Sequence, residues 1–153
     1  MELSPSSIEH LLDTWPVARL ATVGTGRAPQ LVPVVFASAG AALWSPIDGK
    51  PKRGGELQRV RNVRINPEVG LLLDHYEADW EKLWWLRIEG LARIVQPALP
   101  AEDPLVKLAV DALRRKYPQY TGVPLLRDPP TLLAIEPVEI RSWCASAEAI
   151  PWP

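Results

Sequence analysis

Apolar residues recur at Ile8, Leu11, Leu12 and Trp15, the spacing of a single helix face, and Ser6 with Glu9 has capping-box spacing ahead of them. This predicts an amphipathic helix over residues 5–15. The pattern then becomes β-like: Ala18 to Val23, a turn at Gly24-Thr25-Gly26, Gln30 to Ala37, and Leu43-Trp44 after a turn near Gly40. These read as three antiparallel strands. From Val69 to His75, Val69, Leu71, Leu73 and His75 share one face while Gly70, Leu72, Asp74 and Tyr76 share the other, as in a buried strand. The run Leu83 to Val95 sets Trp84, Leu86, Ile88, Ala92 and Ile94 against Trp85, Arg87, Glu89 and Arg93, a long half-buried strand.

Between the two strand groups a helix can form only after Gly54-Gly55 and should end by Asn66-Pro67, with Leu57, Val60 and Val63 on one face and Arg59 and Arg61 beside it. Asp103-Pro104 is a cap and first-turn proline. Leu105, Leu108, Ala109 and Ala112 follow as a helix that stops at Tyr117-Pro118. Thr131 to Trp143 is the last strand, and Pro137 requires a bulge or an edge there. Hairpin-joined strands with helices inserted at two places predict a mainly β fold, a small antiparallel barrel. A βαβ rhythm, a Gly-rich dinucleotide fingerprint and a P-loop are all missing, which excludes Rossmann and NTPase readings.

The 153 residues fit one domain, expected to span 1–153 and to bury about 70% of its unfolded surface. A hydrophobic content of 47% and a charged content of 23% are ordinary globular values. The lone Cys144 excludes an internal disulfide. The N-terminus lacks the basic and apolar regions of a signal peptide, so a cytoplasmic protein is expected. The uncharged run Ala28 to Ile47 is broken by Pro29, Pro33, Gly40 and Pro46, which argues against a membrane span.

Charge changes the picture most. Six of the fifteen residues from Lys50 to Arg64 are basic and only Glu56 is acidic, so this window carries +5 in a chain of net charge −1, leaving −6 elsewhere. A solvated helix face is one reading. The other is an anion site, favoured by the turn-rich lead-in Ser45-Pro46-Ile47-Asp48-Gly49-Lys50, which delivers cations to a helix start where backbone N–H groups also point. Nucleic-acid binding is disfavoured by the acidic remainder. His10 and His75 have no recognisable nucleophile partner. The acidic tip Asp74, His75, Glu77 and Asp79 reads as a solvent-facing turn rather than a metal site.

Several of these segments together resemble the split-barrel flavin-binding proteins of the pyridoxamine-phosphate oxidase class. Ala18-Arg19-Leu20-Ala21-Thr22-Val23 and Pro29-Gln30-Leu31-Val32-Pro33-Val34-Val35-Phe36 are similar to its first two strands. Asp48-Gly49-Lys50-Pro51-Lys52-Arg53, Arg61-Asn62, Asn66-Pro67, Asp74-His75-Tyr76 and Asp79-Trp80-Glu81-Lys82-Leu83-Trp84-Trp85 resemble its deazaflavin-dependent, coenzyme F-420 branch. The likeness covers roughly residues 10–145. It does not extend to the C-terminal arginine pattern of pyridoxamine-phosphate oxidase itself, which is missing near Trp152.

The resemblance implies a six-stranded, Greek-key split barrel and a homodimer with cofactor at the subunit interface, where the seven tryptophans would suit the contact area. It implies a phosphate site at Lys50, Lys52 and Arg59, with Arg53 and Arg61 secondary and Ser45 at the head of the loop, and a ring lying along β-strand residues Val32 and Val34. Coenzyme F-420 is preferred, because its lactyl and glutamate tail needs a longer cationic track than the phosphate of FMN. The expected activity is hydride transfer between cofactor and a small organic substrate. FMN-dependent chemistry, or a flavin or tetrapyrrole carrier, is the alternative. Tyr76 and Tyr120 are candidate proton donors.

Overall fold

The structure is a computed structural model, and it describes residues 1–26, 28–48 and 55–151. Helix α1 runs Pro5–Thr14, followed by strands β1 (Ala18–Thr22), β2 (Gln30–Val34), β3 (Ala37–Ala39) and β4 (Ala42–Pro46), helix α2 (Gln58–Ile65), β5 (Glu68–His75), β6 (Trp84–Val95), α3 (Pro104–Lys116) and β7 (Leu132–Cys144). The strands form one curled antiparallel sheet in the order β2-β1-β5-β6-β7-β4-β3. This is the expected mainly β split barrel, with seven strands instead of six. Among the described residues no helix is long and apolar enough to cross a membrane.

Tyr117 accounts for the extra strand. The Phe36 N–H donates to its hydroxyl at 3.1 Å, and the carbonyls of Pro16 and Phe36 lie 2.9 and 3.0 Å from the same oxygen as acceptors. With Phe36 bonded to a side chain instead of a neighbouring strand, the ladder expected from Gln30 to Ala37 breaks into β2 and β3. The start of α1 also differs from the capping box expected at Ser6 and Glu9. Ser4 is the cap, its side chain accepting from the Ser7 N–H at 3.1 Å, and Pro5 occupies the first helical position.

Two apolar clusters fill the fold. One gathers Leu11 of α1 with Leu20, Leu71, Leu73, Trp84, Leu86 and Ile88 from the inward faces of β1, β5 and β6. The alternation read from the sequence holds in both β5 and β6. The other packs Val106, Ala109 and Leu113 of α3 against Trp44, Leu132 and Ala134. Full burial of each such leucine or isoleucine contributes about 1.5–3 kcal/mol. The bulge that Pro137 demanded is present: Glu89 pairs with Glu139 and Gly90 with Pro137, so Val138 has no opposite residue. A Cβ on Gly90 would lie 2.8 Å from the Glu136 carbonyl oxygen, which is why the bulge needs glycine there.

Asn62 secures α2. It lies buried between Val60 and Val63, donates to Thr22 Oγ1 of β1 at 2.9 Å, and accepts from Gln58 Nε2 at 2.8 Å. A Cβ on Gly24 would meet Asn62 Oδ1 at 2.6 Å, so the turn after β1 is shaped around that amide. The helix that carries the arginines is thereby fixed to the end of the first strand.

Candidate functional site

The chain leaves β4 at Pro46 and stays tied to the segment before β7: the Ile47 N–H donates to the Thr131 carbonyl at 3.0 Å, and the Arg127 N–H donates to the Ile47 carbonyl at 3.2 Å. These two bonds bring Arg127 to the exit of β4, close to Asp48 and to the start of α2. Asp48 is 2% exposed and accepts from the Tyr120 hydroxyl at 2.9 Å. Burial, followed by that bond, holds the Tyr120 phenol well above its ordinary pKa. Tyr120 therefore stays protonated at neutral pH and acts here as a donor to Asp48.

Arg59 enters the same neighbourhood from α2. Its Nε is buried and has no hydrogen-bond partner among the described residues. Burial lowers its pKa from the usual guanidinium value, the Asp48 charge opposes that, and Arg127 adds a further push downward. Two guanidiniums thus lie within electrostatic range of each other, with one buried carboxylate between their demands. A cavity of about 490 Å³ opens at Arg127, lined also by Gly55, Glu56, Leu57, Gln96, Asp128 and Thr131 among others. Arg127 Nη2 donates to the Gly55 carbonyl at 2.6 Å, tying the segment before β7 to the approach to α2. The cap residue of α2 is Leu57, which offers no side-chain acceptor to the first-turn N–H groups. An orphaned guanidinium nitrogen, a second arginine and an uncapped helix start form an environment suited to an anionic group.

The remaining sequence candidates separate. Lys50, Lys52 and Arg53 lie outside the described residues. Arg61 is exposed and holds the helix entry, donating to the Glu56 carbonyl and, at 2.6 Å, to Gln58 Oε1. Arg64 pairs with Glu56 at 2.9 Å. Ser45 is 1% exposed and sits in the β4–β7 ladder opposite Leu133, away from the lining of the cavity. Arg127 went unrecognised because a proline-rich connection gives it no local signal; only the β4–β7 pairing brings it to α2.

A second cavity, about 520 Å³ and overwhelmingly apolar, lies on the outer face of the sheet over β2, β1, β5 and β6, lined by Arg19, Leu31, Val32, Pro33, Leu72 and Arg87 among others. Leu31 is 69% exposed there. Val32 reaches the border of this cavity although it shares the inward face with Val34 and packs against the core, in which Val34 is buried. β2 is an edge strand, so part of its backbone points away from the sheet. Gln30 Oε1 at its start is buried without a partner among the described residues. Of the proposed proton donors, Tyr76 is 65% exposed beyond β5. At the acidic tip, Lys82 pairs with Glu77 and Asp79, and His75 with Glu77.

A curled antiparallel sheet in this strand order, with a polar cavity at the helix that follows its fourth strand, is a split-barrel fold. Residues 5–144 match the pyridoxamine 5'-phosphate oxidase family, and the chain belongs to it. No curated protein matches the sequence. The fold is similar to that of HutZ, the heme storage protein of Vibrio cholerae, with a TM-score of 0.69 and 16% identity over 94% of this chain and 95% of that one. A conserved hypothetical protein of Mycobacterium tuberculosis gives 0.69 and 23% over 99% and 91%. An FAD-binding protein of Mesorhizobium loti gives 0.66 and 19% over 93% of each.

Proposed function

We propose that the protein is an oxidoreductase that binds a flavin-type cofactor, with coenzyme F-420 preferred over FMN, and transfers a hydride between it and a small organic substrate. The observation that carries this reading is the orphaned Nε of Arg59 within electrostatic range of Arg127, which lines a cavity at the uncapped start of α2. Arg59 and Arg127 would hold the cofactor's anionic tail, together with Lys50, Lys52 and Arg53, which lie outside the described residues. The apolar cavity beside Leu31 and Val32 would receive the ring, and the free edge of β2 would offer backbone groups to its nitrogens and carbonyls.

When bound, the cofactor supplies the hydride chemistry; the protein orients it and excludes water. Arg19 and Arg87 border the ring cavity and place positive charge at its rim. A homodimer is part of the proposal: Leu31, Val138, Ile140 and Trp143 are exposed apolar residues on strands, and a second copy would cover such surface. The second reading is a carrier without turnover, since the same fold serves a protein described as storing heme.

Equilibrium titration with F-420 and with FMN, at low and high salt, tests the choice of cofactor. Tighter F-420 binding that weakens with salt is expected, and equal or tighter FMN binding would overturn it. Anaerobic assay of the reduced complex with enones and quinones separates enzyme from carrier.

A further inference from the structure

Lys116 ends α3 with its ammonium group inside the protein. Its Nζ donates to the Leu12 carbonyl of α1 at 2.7 Å and stands 3.6 Å from the centroid of the Phe36 ring. A cavity of about 310 Å³ opens at this point between α1, β3 and α3, lined by Leu12, Asp13, Ser38, Ala112, Arg115 and Lys116 among others. Among the described residues, two other charged groups line this cavity with the amine. Asp13 comes from α1 and Arg115 from α3, the Tyr117 ring lies 5.6 Å away, and β3 contributes only the neutral Ser38 hydroxyl. Burial, offset by Asp13, brings the Lys116 pKa down to about 7. A purely structural lysine at a helix C-terminus complements the dipole as a charged group in water, as its neighbours Arg114 and Arg115 do. Lys116 instead has its amine drawn into a cavity that also holds a carboxylate, a hydroxyl and a guanidinium.

We propose that Lys116 is a carbonyl-capturing amine, and that this cavity takes a small aldehyde bearing a carboxylate or phosphate and holds it as an imine on Nζ. The neutral amine attacks the carbonyl carbon, forming the C–N bond as the C=O π bond opens to an alkoxide. Asp13 takes one proton from the new ammonium and delivers it to the alkoxide, giving the carbinolamine, and then relays the second N–H proton to the hydroxyl, which departs as water and leaves the neutral imine. One aldehyde and one amine give one imine and one water, with no change of oxidation state. Arg115 pairs with the ligand's acidic group and Ser38 hydrogen-bonds beside it. The cavity volume, at the low end for ligand sites, suits a compact molecule.

The test uses wild-type protein with glyoxylate as probe and cyanoborohydride as trap, followed by peptide mass mapping. Adduct should concentrate on Lys116, with a rate half-maximal near pH 7, while exposed Lys82, whose pKa is raised by its bonds to Glu77 and Asp79, reacts appreciably only at higher pH. Arg115→Gln should remove the preference for glyoxylate over an uncharged aldehyde, at least fivefold in initial rate, and leave the fold intact because the side chain is exposed. Adduct spread over Lys82 and Lys107 with Lys116 spared at pH 7 would overturn the proposal. So would a glyoxylate preference that survives Arg115→Gln.

Discussion

Tyr120 donates its hydroxyl hydrogen to Asp48 Oδ2 at 2.9 Å, joining the segment after α3 to the loop that leaves β4. The bond matters because Asp48 is buried and is the negative charge that opposes the lowering of the Arg59 pKa by burial.

Tyr120→Phe keeps the ring and deletes the donor. A buried carboxylate that loses a partner costs about 1–3 kcal/mol, so the urea midpoint should fall accordingly with an unchanged slope. A loss of only about 0.3 kcal/mol would show that the bond does not secure the loop.

Arg59→Gln and Arg127→Gln should each weaken F-420 binding by about tenfold to about a hundredfold, the range of one charge-assisted hydrogen bond. The loss should shrink as salt rises. Arg61→Gln serves as the comparison, because that side chain holds the helix entry and faces solvent. If all three variants bind alike, the cavity beside Arg127 is not where the tail lies.

Much of this architecture is legible in the chain. The alternation in β5 and β6, the Asp103-Pro104 start of α3 and the bulge required by Pro137 all follow from local pattern, since each is a short-range consequence of burial or a missing N–H. The split between β2 and β3 was hidden because its cause, the Tyr117 hydroxyl, is 81 residues away from Phe36. Asn62 reads as a polar helix residue, yet it is buried against Thr22 for an equally non-local reason. In the site, Arg59 was evident from the density of basic residues. Arg127 and Asp48 gain their roles only when β4 and β7 pair.

Gly90→Ala should destabilise by about 1–3 kcal/mol, because the new methyl would press on the Glu136 backbone, which cannot rotate away. Gly70→Ala is the matched comparison: its methyl would lie 3.8 Å from the Ala21 side chain, an ordinary contact. Thermal unfolding of the pair should separate them, and equal melting temperatures would contradict the bulge geometry.

Lys116 predicts a pH dependence. Its pKa is about 7 when folded against an ordinary 10.5, so between these values the unfolded chain carries a proton that the folded chain has released. Stability contributed through this group therefore rises with pH across that window. Lys116→Met, which retains an apolar stem against Phe36, should remove the rise, so the stability of the wild type relative to the variant should increase from pH 7 to pH 10. A difference that stays constant across the window would show that the amine is charged throughout.

Leu31→Asp places a carboxylate on the exposed outer face of β2. Sedimentation equilibrium should show the wild type as a dimer and the variant shifted toward monomer, with its circular dichroism spectrum unchanged. A wild-type monomer at all concentrations would remove the dimer from the proposal.

The most direct measurement is the crystal structure of the protein with F-420 bound. The account predicts the cofactor's anionic tail within hydrogen-bonding distance of Arg59 or Arg127 at the start of α2, with the ring against Leu31 and Val32. Density for the tail at any other surface, with both arginines left uncontacted, would contradict it.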